Sequence, residues 1–201
     1  MARYTGPKQR LQRQIGEDLG LKTNALKVAR RLGVRPGQHG ARGRRKLSNF
    51  GIQLKEKQKV KYIYGVLEKQ LRTVYAEASK NPAATGTALL SLLERRLDNV
   101  VYRAGFAPTR AAARQLVNHN HFQVNSKKMN IPSYRVKVGD KNSMKAKVKN
   151  IPQVVESIKE ERPTPAWMEV KASSVNVTKL PAREDVTEAI NEQLIVEYYN
   201  R

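Results

Sequence analysis

From Ser48 to Ser79 the apolar residues Ile63, Leu67, Leu71, Val74 and Ala78 recur at steps of three and four, the spacing of one buried helical stripe. The run Lys55-Glu-Lys-Gln-Lys-Val-Lys61 comes just before and is expected to turn its cations to the opposite face. Asn81-Pro82 through Gly86 breaks the pattern. A second helix follows, with Leu89, Leu92, Leu93, Leu97, Val100, Val101 and Ala104 inward and Gly105 as its stop. Thr109 is placed to cap a third, short helix that starts at Arg110. In it Ala113, Leu116 and Val117 face a core, and Arg110 and Arg114, four apart, share an exposed side with Gln115.

Beyond this point the period becomes alternating. Phe122-Gln-Val124, the turn Asn125-Ser126 and Lys127-Lys128-Met129 read as a hairpin. Tyr134, Val136 and Val138 alternate with Arg135 and Lys137 as far as Gly139-Asp140, with Ile131-Pro132 marking an edge. Met144, Ala146 and Val148 alternate with Lys145, Lys147 and Lys149, which predicts a half-buried strand with a cationic face. Pro152 opens a helix through Glu161 with Val154, Val155 and Ile158 inward. The Arg162-Pro-Thr-Pro165 break and a turn-rich stretch after Trp167 lead to a terminal helix over Asn191–Tyr199, packed through Leu194, Ile195 and Tyr198. Residues 1–46 are different. Their periodicity is weak and turn formers are dense, with short helical patches only near Leu11–Ile15 and Thr23–Arg31.

Charge gives this layout a meaning. The 201 residues, enough for one or two small domains, carry 39 Lys and Arg against 17 Asp and Glu, a formal +22. The first 46 residues hold thirteen bases and two acids, residues 47–159 hold 21 bases and seven acids, and residues 160–201 hold five bases and eight acids. Such a field repels itself unless a polyanion relieves it. The pattern fits two basic regions laid on nucleic acid and an acidic end left for protein contacts. No apolar run reaches the ~18 residues of a membrane span, and Met1-Ala2-Arg3-Tyr4 does not open a secretory signal. A soluble, intracellular protein is expected.

Reactive chemistry is sparse. With no cysteine, disulfides, thiolate nucleophiles and sulfur-ligated zinc are excluded. His119 and His121 are two apart and could share a metal on a strand face, but no third ligand accompanies them, so metal and cofactor are both expected to be none. Gly37 and Gly43 enclose five residues, one too many for a phosphate-binding loop, and Arg44-Arg45 stands where Lys-Ser/Thr is required. Acids of the middle region read as salt-bridge or capping partners; Asp98, among Arg95, Arg96 and Arg103, is the one possible exception. The chain is read as no enzyme.

Two regions carry the binding signal. In Arg35-Pro-Gly-Gln-His-Gly-Ala-Arg-Gly-Arg-Arg-Lys46 glycines admit a phosphate chain to the backbone, and Arg42, Arg44, Arg45 and Lys46 neutralise it. The segment Arg96-Leu-Asp-Asn-Val-Val-Tyr-Arg103, Gly105–Val117 and Asn118–Asn125 predicts two helices packed on a small sheet. Arg110, Arg114 and Gln115 then project together near Lys127 and Lys128. Guanidinium forks suit phosphates, while Gln115, Asn118 and His119 suit 2′-hydroxyls or base edges. No helix has the exposed base-reading run of a major-groove reader, so RNA is favoured over DNA.

The residues Ala2-Arg-Tyr-Thr-Gly-Pro7, Pro36-Gly-Gln-His-Gly-Ala-Arg42, Gln53-Leu-Lys-Glu-Lys-Gln-Lys59, Tyr64-Gly-Val-Leu-Glu68, Arg96–Val117, Asn130-Ile-Pro-Ser-Tyr134, Trp167 and Asn191-Glu-Gln-Leu-Ile-Val-Glu-Tyr198 follow one another in a recognisable order. Along essentially its whole length the chain resembles the family of bacterial small-subunit ribosomal protein four. The resemblance implies an α+β fold: a basic, extended N-terminal arm (1–46), a discontinuous, mostly helical domain (47–92 and 153–201), and an inserted α/β RNA-binding module (93–152) of two helices on a short-stranded sheet. It implies binding to a multi-helix junction in the 5′ domain of small-subunit ribosomal RNA, early in assembly. Ribosomal protein five and other small-subunit proteins, and mRNA near the channel through which it enters the subunit, are the further partners implied, with an effect on decoding accuracy. The implied location is cytoplasmic and ribosome-bound, with no membrane contact. Some relatives carry a zinc-binding cysteine cluster in the arm, which this chain lacks. The expected RNA contacts are Arg3, Tyr4, Lys8, Arg35, Gln38, His39, Arg42, Arg44, Arg45, Lys46, Lys57, Lys59, Arg103, Arg110, Arg114, Gln115, Asn118, His119, Lys127 and Lys128. An RNA-modifying enzyme and a free RNA chaperone are the rival classes, and a plastid origin is left open.

Overall fold

The computed structural model describes residues 2–42, 46–80, 84–160, 162–171 and 173–201. Its helices and small antiparallel sheet make an α+β protein. The chain divides into two compact units, residues 1–86 with 188–201, and residues 87–187.

In the first unit the basic arm is more ordered than its composition suggests. It forms α1 (Lys8–Ile15) and α2 (Ala25–Leu32), and Leu11, Ile15, Leu19 and Val28 are buried. Gly16 ends α1 at φ +83, a left-handed position that suits glycine. Arg13 of α1 holds the chain just beyond α2, donating to the carbonyls of Val34 (2.8 Å) and Arg35 (2.9 Å).

Ser48 accepts a hydrogen bond from the Gly51 amide at 3.2 Å and opens α3 (Asn49–Ile63). The apolar stripe expected to run through to Ala78 is interrupted. Gly65 turns the chain at φ +61, and α4 (Glu68–Ala78) starts afresh, with Gln70 Oε1 accepting from the Leu67 amide. Lys57 and Lys59, expected on an outer cationic face, are buried. The terminal helix of this unit runs over Glu192–Tyr199 and is capped by the Asn191 side chain, as the terminal pattern predicts. It packs on α3: Gln53 donates to Glu197 at 2.9 Å, and the Asn191 amide donates to Glu56 at 2.9 Å.

The second unit takes in α5 (Thr85–Glu94) from Thr87 onward, α6 (Leu97–Arg103) and α7 (Arg110–Asn118). The break expected through Gly86 is shorter on the described side, since Gly86 already lies in the first turn of α5. The second helix expected as one element is two. Arg95 and Arg96 leave the helix to bond an outlying strand-like segment: Val136 donates its amide to the Arg95 carbonyl at 2.9 Å, and Leu97 donates to Tyr134 at 2.8 Å. Leu90 is buried where Leu92 was expected, and Leu92 is half-buried. Gly105 does stop α6, at φ +78.

A five-stranded antiparallel sheet follows. Its strands are β1 (Phe122–Val124), β2 (Lys127–Met129), β3 (Lys141–Met144), β4 (Met168–Lys171) and β5 (Ser174–Val177), in the order β2-β1-β3-β5-β4. The β1–β2 turn is Asn125-Ser126, both with positive φ, the two-residue hairpin geometry matched to strand twist. Residues 131–140, expected as a strand, make only an isolated bridge between Arg135 and Arg96. Residues 146–150 form a 3-10 turn rather than the end of a strand. In α8 (Pro152–Lys159) Val154 is inward, but Ser157 takes the inner position expected for Ile158, which is exposed. The hairpin β4–β5 lies in the stretch read as turn-rich. Its inward residues Met168, Val175 and Val177 join Trp167, Phe122, Val117, Val101 and Leu97 in one core. Residues 153–187 therefore pack with the second unit, which extends beyond the expected 93–152 on both sides.

Candidate nucleic-acid interface

Helix α7 is the centre of the site. Thr109 Oγ1 accepts from the Ala112 amide at 3.2 Å and fixes its first turn. Ala113 and Val117 anchor it in the core, Leu116 is half-buried, and Gln115 and Asn118 are left exposed along the same helix as it runs out at His119. Gln115, expected on an exposed side, is exposed, and so is His119. Arg110 is half-buried. Its Nε donates to Asn99 Oδ1 at 2.7 Å, and its guanidinium lies 4.4 Å from the centre of the Tyr102 ring.

Arg114 is not on an exposed side. It is buried, with Nη1 3.1 Å from Asp98 Oδ2, while Arg96 takes the same carboxylate through both oxygens at 3.1 and 2.8 Å. Asp98 is indeed surrounded by bases, but they are Arg96 and Arg114. Arg103 is committed elsewhere. Its Nε and Nη2 donate to Glu94 at 3.0 and 2.8 Å, and Nη1 donates to Thr187 Oγ1 at 2.9 Å. Glu94 has no exposed surface and also accepts from Asn99. The motif Arg96-Leu-Asp-Asn99 therefore joins α5, α6 and α7 through buried charge-assisted bonds. Its cations are spent inside the protein.

The same applies in α3. Lys57 Nζ lies 2.9 Å from Glu68 and 4.6 Å from the centre of the Tyr198 ring. Lys59 pairs with Glu17 at 2.6 Å and donates to the Ala189 carbonyl. Partial burial raises the Glu68 carboxyl, but the bonds and charges of Lys57 and Lys61 outweigh it and hold the group below its usual range. Tyr199 donates to Glu68 at 3.1 Å; burial, then that carboxylate, push its hydroxyl well up.

The hairpin lysines are both exposed. Successive strand residues face opposite sides, so they do not share one face. The register sets Lys128 in a row with Gln123, Ser143, Ser174 and Lys171, and Lys127 opposite Val124 on the side of the core. Lys171 escaped the sequence reading because the β4–β5 hairpin did. In the arm Arg3, Tyr4, Gln38, His39, Arg42 and Lys46 are exposed, and Lys8 and Arg35 are half-buried. Burial, then Arg3 and Lys22, lower the Lys8 ammonium pKa. Gly40 begins a 3-10 turn to Arg42, and a Cβ there would collide with the Arg35 carbonyl. Arg44 and Arg45 lie outside the described residues. Among the described residues no cluster of three or more His, Cys, Asp or Glu side chains could hold a metal, and no helix is long and apolar enough to cross a membrane.

The family model described as the ribosomal protein S4/S9 N-terminal domain matches residues 3–94, and the S4 domain model matches residues 95–142. The chain is 48% identical over 208 residues to the small ribosomal subunit protein uS4 of Chloroflexus aurantiacus, with all of both chains covered. The chain belongs to the uS4 family. Similarity to uS4 proteins of Geobacter metallireducens (53% over 210 residues) and Chromobacterium violaceum (49% over 207 residues) again covers all of each chain. The uS4 family is one of structural RNA-binding proteins, so the chain is not an enzyme. The boundary between the two family models, at Glu94 and Arg95, falls where α5 ends and the buried Asp98 network begins.

Proposed function

We propose that this chain is a structural component of the small ribosomal subunit, cytoplasmic and ribosome-bound, that binds the 5′ domain of small-subunit ribosomal RNA at a helix junction and helps nucleate its assembly. The observation that carries the reading is full-length similarity to uS4 proteins in a chain of formal charge +22. Neutralised phosphate and shape recognition supply the affinity; no chemistry is performed. The contact set consists of Arg3, Tyr4, Lys8, Arg35, Gln38, His39, Arg42 and Lys46 in the arm, with Arg44 and Arg45, and of Arg110, Gln115, Asn118, His119, Lys127 and Lys128 in the inserted RNA-binding module. Lys57, Lys59, Arg103 and Arg114 leave that set and support it from within.

The first unit supports a protein contact as well. Phe50 is 46% exposed, 5.7 Å from the Tyr198 ring, with the Arg201 guanidinium 5.6 Å from its centre, and Ile52, two residues on, is also exposed. Aromatics and Arg at a solvated surface suit a docking face, here assigned to ribosomal protein five, with the effect on decoding accuracy near incoming mRNA following from that contact. The test is chemical footprinting of 5′-domain RNA with and without the chain, read alongside affinity against salt. Protection concentrated at one junction is expected. With ~8 phosphates contacted, log affinity falls with log salt at a slope of roughly −6 to −7. Unchanged reactivity of the RNA removes the proposal.

A further inference from the structure

Where α7 runs out, the second unit has a half-open cleft of about 160 Å³. Leu116, Ile151 and Val154 make its apolar wall, and Gln115, His119, His121 and Gln153 are its polar lining. The two imidazole rings have centres 5.9 Å apart and are inclined at 60°. The His121 carbonyl accepts from the Lys145 amide at 3.0 Å, which holds a cation next to the cleft. Among the described residues no carboxylate lines it.

From this geometry we infer that the cleft receives one unpaired nucleobase of the bound RNA, stacked on one imidazole, edge-on to the other, and read at its edge by Gln115. The inference rests on the RNA-binding reading above and names the chemistry of one subsite within it. Three features favour a base over other occupants. The volume is small beside the ~300 Å³ and more of pockets for drug-sized ligands, so it suits one flat ring rather than a whole cofactor. Gln115 and His119 belong both to the cleft and to the exposed surface of α7, so a strand tracking that surface passes the opening. Burial, then His119 and Lys145, hold His121 below the usual imidazole range, and a neutral imidazole stacks on a base where a charged one would seek phosphate.

Ala112 also lines the cleft, and its substitution Ala112→Phe fills it while the backbone amide that Thr109 caps is kept. Full-length native and Ala112→Phe chains are compared on a 5′-domain RNA transcript, by affinity against salt and by base-specific chemical probing. The expected result is an affinity loss of about tenfold or more, in line with one lost stacking contact. The salt slope stays unchanged because no phosphate contact is lost, and at least one unpaired base guarded by the native chain becomes reactive again. If Ala112→Phe does not fold, a His119→Ala/His121→Ala chain with native circular dichroism carries the same expectation. A folded variant with native affinity and native protection overturns the inference and leaves the electrostatic reading standing. A variant that keeps RNA but loses a subunit protein also overturns it, in favour of a protein side chain as occupant. Absence of salt-dependent RNA binding by the native chain sinks both readings together.

Discussion

Arg114 Nη1 and Asp98 Oδ2 meet at 3.1 Å in the interior of the second unit, joining α7 to the first turn of α6. Asp98 answers two buried guanidinium groups, since Arg96 binds both of its oxygens. Removing the acid leaves both without a counter-charge there. Asp98→Ala is therefore expected to cost about 3–5 kcal/mol of stability, the scale of a broken buried ion pair. Urea unfolding of the full chain measures it. Arg114→Ala is expected to destabilise as well, with its RNA affinity falling only as far as the folded fraction falls. If Arg114→Ala keeps native stability and loses RNA affinity, the residue is a contact after all.

Thr109 acts on the interface from one step further back. Its hydroxyl satisfies the Ala112 amide at the start of α7, and Gln115, Asn118 and His119 all depend on that helix. Thr109→Ala is expected to cost ~1 kcal/mol, and Thr109→Ser to stay close to native because its hydroxyl can make the same bond. Thermal melts of the two variants separate a lost cap from lost packing of the Thr methyl group.

These two cases show which parts of the molecule the sequence makes legible. A cap is local: Thr109 followed by a helical pattern, or Asn125-Ser126 between alternating segments, can be read from a few residues, and both appear where expected. The uses of charge are not local. Lys57 and Arg103 look like solvated cations until Glu68, eleven residues on, and Glu94, nine residues back, are brought beside them. The β4–β5 hairpin escaped for a related reason. Met168-Glu-Val-Lys171 is four residues on a sheet edge with three of them exposed, and only pairing with Ser174–Val177 makes it a strand. Helix continuity misled in the opposite direction, because a stripe in phase across Gly65 or Arg95-Arg96 does not reveal that the backbone turns there.

The Glu68 cluster gives the first unit a dependence on acid. Its carboxyl titrates below the ordinary value near 4.5 in the folded chain, so it favours folding at pH above that value. The contribution is lost as pH falls through the folded pKa. Native and Glu68→Gln chains are expected to differ in unfolding free energy at neutral pH and to converge as acid protonates the native carboxylate. A difference that stays constant through the acid range assigns the effect to shape rather than charge.

Exposed and buried cations should separate in salt. Lys127 and Lys128 are both exposed on β2, and each is expected to lower the magnitude of the salt slope by about 1 when replaced by Ala. Lys59 sits against Glu17 and the Ala189 carbonyl, so Lys59→Met is expected to lower stability and leave the slope untouched. Gln115→Ala carries no charge and is expected to weaken binding at every salt concentration by the same factor. Filter binding of 5′-domain RNA from 50 to about 400 mM salt resolves these behaviours. A Lys59→Met chain with full stability and a shallower slope would mean that its ion pairs open when RNA arrives.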